Sequence, residues 1–203
     1  DADPTIDVSG DAGCHHSYPF LMVAAEFGRR DVAELLLDRG ADVHGTDDDA
    51  HYTALCVAAS GGYADIAALL LDRGADPDHV SCYGFTPLAY AAEHGHADVV
   101  RLLLGRGVRR SLTDAVFMND AKLVAELLAT AEKENHDLDS ILFSCRSHIA
   151  CCDINVLRLL LDAWPKSNGR WFDARLLSNV AAAGRLDVVQ LLLEHGFDPR
   201  ATA

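Results

Sequence analysis

The segment Tyr83–Gly107, YGFTPLAYAAEHGHADVVRLLLGRG, recurs along the chain in better and worse copies. Each copy carries two short apolar stretches separated by a glycine. Thr86 is placed to cap a helix N-terminus with its hydroxyl, and Pro87 follows at the first helical position, where a missing N–H costs nothing. Leu88, Ala91 and Ala92 then line one face, and Gly95 supplies the left-handed turn that ends the helix. Asp98 opens a second helix, which is apolar through Val99, Val100 and Leu102 to Leu104, and Gly105 and Gly107 close it. Helices this short are not stable alone. The chain must therefore fold by stacking each pair on its neighbours.

The copies keep register. Pro19–Asp42 and Thr53–Pro77 repeat the pattern, and Gly28, Gly62 and Gly95 are spaced by 34 and 33 residues. The extra residue is explained by Asp47-Asp48-Asp49 in the first connection, a run expected to form a solvated hairpin tip. After Gly107 the spacing breaks. Leu112, Ala115-Val116, Asn119, Leu123-Val124 and Leu127-Leu128 still fit a helix pair, at an offset too short to hold a preceding hairpin. A fifth, degenerate pair spans Ile141–Ile149 and Val156–Leu161, stopped by Trp164-Pro165, and the good pattern returns in Leu176–Phe197. Residues 1–13 carry four aspartates and no apolar periodicity, and read as a flexible acidic lead-in to a single domain over residues 14–203.

A period near 33 residues with two helices per unit is the signature of a helical solenoid. Gly84-Phe85-Thr86-Pro87-Leu88, Ala91-Ala92, Gly95-His96, Asp98-Val99-Val100, the leucine triplets, Gly40-Ala41-Asp42 and Gly74-Ala75-Asp76 resemble the ankyrin repeat family. The resemblance implies an all-α solenoid of about six stacked helix pairs with short β-hairpin fingers, irregular in the middle. The sequence departs from the family motif at the histidine of its TPLH-type start, replaced here by Met22, Cys56, Ala89 and Ser178.

In stacks of this kind the finger tips and the open side of the first helices form a concave groove. Mapped residue by residue, the resemblance places Tyr18, Phe27, Tyr52, Tyr83, Phe85, Glu93 and His94 on that groove, with Phe117, Met118, Trp171 and Phe172 on the continuing surface. Aromatic side chains lose little conformational entropy on contact and suit recognition. The implied function is recognition of a protein or peptide without catalysis. The net charge of −14 favours a partner with a basic segment and disfavours nucleic acid and anionic membranes. The alternative is an enzyme or small-molecule site in a pocket at the irregular junction after the third unit, lined by Tyr52, Tyr83, Phe85, Phe117 and Met118. A third reading is a module cut from a larger protein, marked by an exposed apolar patch around Val188, Leu191 and Leu192; the start at Asp1 fits a trimmed chain.

No cofactor is expected. Phosphate-loop, serine-hydrolase and zinc-protease motifs are missing from the sequence. His15, His16, His51 and His94, with Glu26, Asp49 and Glu93, offer an acid–base or metal constellation, but a polar recognition surface accounts for them. Cys145, His148, Cys151 and Cys152 have helical spacing for zinc, yet tetrahedral sites seldom draw four ligands from one short helix, and buried thiols are expected instead. His96 is expected to bond turn backbone, as the family's histidine at this position does. The six irregularly spaced cysteines read as reduced thiols, which places the chain inside the cell, in the cytoplasm. No apolar run reaches the length of a membrane span.

Overall fold

Thr53 and Thr86 both start helices through their hydroxyls. Each side chain accepts a hydrogen bond from a backbone N–H three residues on, Cys56 at 3.3 Å and Ala89 at 3.0 Å. A computed structural model describes residues 19–134, 152–163 and 173–197. They divide into two compact units, Asp1–Arg110 and Ser111–Ala203.

The first unit holds three helix pairs: α1 (Phe20–Glu26) with α2 (Arg30–Asp38), α3 (Ala54–Ser60) with α4 (Ala64–Asp72), and α5 (Pro87–Glu93) with α6 (Ala97–Gly105). Helices α1, α3 and α5 stack as an inner layer, and α2, α4 and α6 as an outer one. Small side chains permit the close inner approach: Ala24, Ala25, Ala58, Ala59 and Ala91 are all buried. Between them Leu21, Leu55 and Leu88 repeat in register in the core. In the outer layer Ile66 and Val99 are buried, whereas Val32, at the equivalent place in α2, is exposed. Among the described residues α2 has an outer-layer neighbour, α4, on one side only.

The turns inside the pairs lock successive repeats together. Gly62 has φ +76°, and the His96 ring lies over it: a Cβ there would sit 2.6 Å from His96 Nδ1. The same ring reaches the Ser60 carbonyl through Nε2 at 2.9 Å, the backbone bond expected of it. On the outer side, Arg73 pairs with Asp38 at 2.8 Å and Arg106 with Asp72 at 2.9 Å, tying each pair to the preceding one. These bridges are largely exposed and contribute about 0–1 kcal/mol each.

The connections between pairs differ from the expected hairpins. Among the described residues there is no strand, only a single antiparallel bridge between Thr46 and Thr53. Asp47 is the reason, and it is not simply solvated: its carboxylate accepts from Tyr52 N at 2.6 Å and Ala50 N at 3.3 Å. A side chain thus takes backbone donors that a longer ladder would need. The next connection leans on this one, with Cys82 N donating to the Ala50 carbonyl at 3.0 Å.

The missing third connection is as expected. Residues 106–111 separate α6 from the next helix, against 39–53 and 73–86 earlier. In the second unit α7 (Leu112–Phe117) pairs with α8 (Ala121–Glu134), and α10 (Asp173–Ala182) with α11 (Leu186–Glu194). Between them α9 (Ile154–Ala163) touches α8 and α11; the helix expected before it, at 141–149, lies outside the described residues. A capping box opens α7, in which Ser111 N and Oγ donate to the Asp114 carboxylate at 2.6 and 2.7 Å and Asp114 N returns a bond at 3.1 Å. Asn119, φ +53°, stands at the turn where other pairs carry glycine. Its side chain accepts from Asp153 N at 2.8 Å, so the turn again carries a repeat-to-repeat contact. His195 closes α11 by bonding the Leu191 carbonyl at 2.8 Å and Asp162 at 3.1 Å. Val188, Leu191 and Leu192 are buried rather than exposed, because they face the interior against α9 and α10, whereas Leu186 and Leu193 of the same helix are exposed.

The turn geometry predicts unequal outcomes at two equivalent places. Gly62→Ala forces an L side chain into the left-handed region and against His96, and should destabilise the chain by about 1–3 kcal/mol. Asn119→Gly relieves the φ strain but removes the bond to Asp153, so the two effects offset and the change should stay within about 1 kcal/mol. Urea denaturation followed by circular dichroism measures both; an unchanged midpoint in Gly62→Ala contradicts the locking role of the turn.

Candidate functional site

The inner helices leave one side uncovered, and three registers line it: Val23, Val57 and Tyr90; Glu26, Ser60 and Glu93; and Phe27, Gly61 and His94. The middle repeat carries the smallest residues in the last two. A cavity of about 270 Å³ lies there, lined by Glu26 of α1, Cys56, Val57 and Ser60 of α3, Gly61, Tyr90 of α5 and Tyr52 of the connection.

Tyr90 organises the aromatic side of this cavity. Its hydroxyl is 2.9 Å from Ser81 Oγ. Its ring meets Tyr52 at 5.4 Å and Phe85 at 5.3 Å, both edge to face, and Tyr52 in turn lies 6.2 Å from Tyr83. Burial pushes the Tyr90 phenol far above its ordinary range and raises Tyr52 as well. Both are neutral hydrogen-bonding groups here, not bases. Cys56, at the position of the family's histidine, is also raised by burial, which outweighs its hydrogen bonds with Thr53. A thiol held protonated is a poor nucleophile.

The expected contact residues separate into groups. Phe27 (64 % exposed) and Tyr83 (56 %) stand open, Tyr52 and Glu93 are half-buried, and His94 is exposed with Nδ1 3.0 Å from the Tyr90 carbonyl. The His94 ring stacks on His96 at 6.1 Å. Phe85 is buried at 8 %, because its ring packs on Tyr90, so it supports the face instead of presenting contact area. Phe117 is buried at 3 % and Met118 half-buried, both in the second unit; every residue of α7 is buried, so this helix lacks the open side that α1 and α5 keep. Tyr18, Trp171 and Phe172 lie outside the described residues. Of the residues expected to line a junction pocket, Tyr52 lines this cavity. Tyr90, Val57 and Gly61 were not singled out as a site from the sequence; the signal was available in the side-chain sizes at the three registers.

Among the described residues no group of three or more His, Cys, Asp or Glu side chains converges to hold a metal ion, so His51, His94, Asp49, Glu26 and Glu93 do not form one. His15 and His16, and Cys145, His148 and Cys151, lie outside the described residues; Cys152 is buried, with Sγ 3.9 Å from the Val116 carbonyl oxygen. No helix among the described residues is long and apolar enough to cross a membrane.

Residues 21–114 match the family model for ankyrin repeats (3 copies). These residues are ankyrin repeats. The match covers α1 through α6 and enters α7, and so contains the whole inner layer of the first unit and its cavity. Ankyrin repeats are generally protein–protein interaction modules. No curated protein matches the sequence.

The neutral tyrosine pair predicts a pH response. A phenol whose folded pKa is raised stabilises the fold fully below the unfolded value near 10, and loses that contribution as pH rises beyond it. Stability should therefore fall from about pH 10 upward. Tyr90→Phe should flatten that fall while costing about 1–2 kcal/mol at neutral pH through the orphaned Ser81 hydroxyl. Thermal melts at pH 7 and pH 10.5 check both; an identical alkaline slope in wild type and variant excludes the burial effect.

Proposed function

We propose that this chain is a non-catalytic recognition module that holds a protein or peptide partner against the open side of α1, α3 and α5. The observation that carries this reading is a cavity lined by half-buried Tyr52 in the ankyrin-repeat part of the chain, with exposed Tyr83 6.2 Å from Tyr52 and exposed Phe27 next in sequence to the lining Glu26. Large aromatic side chains left open beside a cleft supply contact area at low entropic cost. Glu93 and His94 at the α5 end are polar rim contacts in the same reading, and Tyr18 stays as an outlying contact of it. The net charge of −14 supports a partner with a basic segment, with electrostatics acting mainly on association rate. The same reading takes the chain as about six helix pairs, placed in the cytoplasm, where the thiols of Cys56, Cys82 and Cys152 stay reduced.

The decisive experiment is affinity capture from the native source with wild type and with Phe27→Ala/Tyr83→Ala. The double variant should lose its principal partner, with affinity down at least about 30-fold if each ring is worth about 1 kcal/mol or more. Binding by wild type should also weaken as salt is raised from 50 to 300 mM. Equal recovery of every partner by the folded double variant refutes the reading.

A further inference from the structure

The α1–α2 end of the first unit carries one half of contacts that later pairs complete. The cation that closes a second helix reaches back to the acid at the end of the preceding one: Arg73 to Asp38 at 2.8 Å, Arg106 to Asp72 at 2.9 Å, and His195 to Asp162 at 3.1 Å. Arg39 closes α2 in the same register and is exposed, with no carboxylate among the described residues paired to it. The residue after the turn glycine also reaches back. Tyr63 lies over Gly28, His96 lies over Gly62 and bonds the Ser60 carbonyl, and Arg185 donates to the Cys152 carbonyl at 3.2 Å. Arg29 holds that position after Gly28, and it too is exposed. The apolar side chains share the asymmetry. Val32 is 43 % exposed and Leu35 53 %, yet Ile66 and Leu69 of α4 are 0 % and 6 %, and Val188 and Leu191 of α11 are 0 % and 2 %. Helix α11 shows which neighbour covers these positions. Among the described residues its outer-layer neighbour is α9, which precedes it, and none follows it. The preceding side is the one on which α2 has no neighbour. Exposed Phe20 extends this face, since its counterparts Ala54 and Pro87 are buried.

An apolar stripe flanked by two arginines, in the spacing of the chain's own repeat-to-repeat contacts, is complementary to a helix pair of the same kind whose second helix ends on a carboxylate. The sequence ahead of α1 carries the end of such a unit. Ala2-Asp3-Pro4 repeats Ala75-Asp76-Pro77, which follows α4, and Ala41-Asp42, which follows α2. This favours a pair in the same polypeptide over one from a second copy. The spacing of Asp38 from Ala41 and of Asp72 from Ala75, applied to Ala2, sets the acid two residues upstream of Asp1. We propose that one more ankyrin helix pair, encoded immediately upstream of Asp1 in the natural polypeptide, stacks on α1 and α2. It buries Val32 and Leu35, and the acid at the end of its second helix pairs with Arg39. The inference stands on the packing of the repeats and is independent of the recognition reading above.

The test compares the 203-residue chain with the natural polypeptide begun about 40 residues further upstream, enough for one repeat. The upstream residues should read as a helix pair, with Asp or Glu at the second position before Asp1. The longer chain should unfold at a urea midpoint higher by about 0.5 M or more, and the Ala33 and Leu36 amides of α2 should exchange at least about tenfold more slowly in it. Val32→Asp and Arg39→Glu should each move the midpoint of the shorter chain by no more than about 0.2 M and lower that of the longer chain by more than this. Arg39→Glu does so by setting a second carboxylate against the first. Should Val32→Asp keep the longer chain from folding, Arg39→Glu carries the comparison. An upstream sequence without the helix pair or its terminal acid overturns the proposal, as do equal effects of the variants in both chains. Concentration-dependent association of the shorter chain that Val32→Asp abolishes assigns the face to a second copy and overturns it as well.

Discussion

The first unit depends on helices of seven to nine residues being buried from the side, because none of them is stable by itself. Alanines on α1, α3 and α5 let the inner layer close up, and the ring of one repeat lies over the turn of the one before. His96 covers Gly62 and bonds Ser60, while Asn119 and Asp153 reach a similar end with a side-chain amide. The turn is therefore not a mere connector. It is where sequence-distant repeats exchange directional contacts, whereas the leucine layers supply contact area without direction.

Much of this was legible because it is local. Thr86 before Pro87, alanines at i, i+3 and i+4, and glycine at the turn each act within a few residues of themselves, so their spacing carries the whole instruction. The loss of one connection after Gly107 was legible for the same reason: too few residues remain to form it. What was not legible depends on partners distant in sequence. Phe85 looks like an exposed finger aromatic until Tyr90 is placed beside it. Phe117 aligns with an open surface, but α7 is covered on every side. Asp47 reads as one of three surface acids, and only the fold reveals that its carboxylate holds Tyr52 and Ala50 in place.

The cleft itself was hidden for a different reason. Its floor is made of residues that are unremarkable one at a time: a valine, a serine and a glycine. Ser60 and Gly61 matter by comparison with both neighbouring repeats, which carry larger residues at the same registers, and Val57 by comparison with Tyr90 alone. A repeat protein can thus build a pocket by subtraction, leaving its core leucines untouched. Cys56 and Tyr90 belong to both the buried core and the cavity wall.

The ion pairs along the outer layer have a consequence for how such a chain changes length. Arg73 meets Asp38 and Arg106 meets Asp72 through the same register, and the inner leucines and alanines repeat at the same interval. Excising residues 39–72 would bring Arg106 to Asp38 where it now finds Asp72, with every layer still matched. Removing a single residue within a helix would instead rotate its leucines out of the core. The array therefore tolerates growth or loss in whole repeats and resists it in smaller steps, which makes duplication the easy route by which such a chain diversifies.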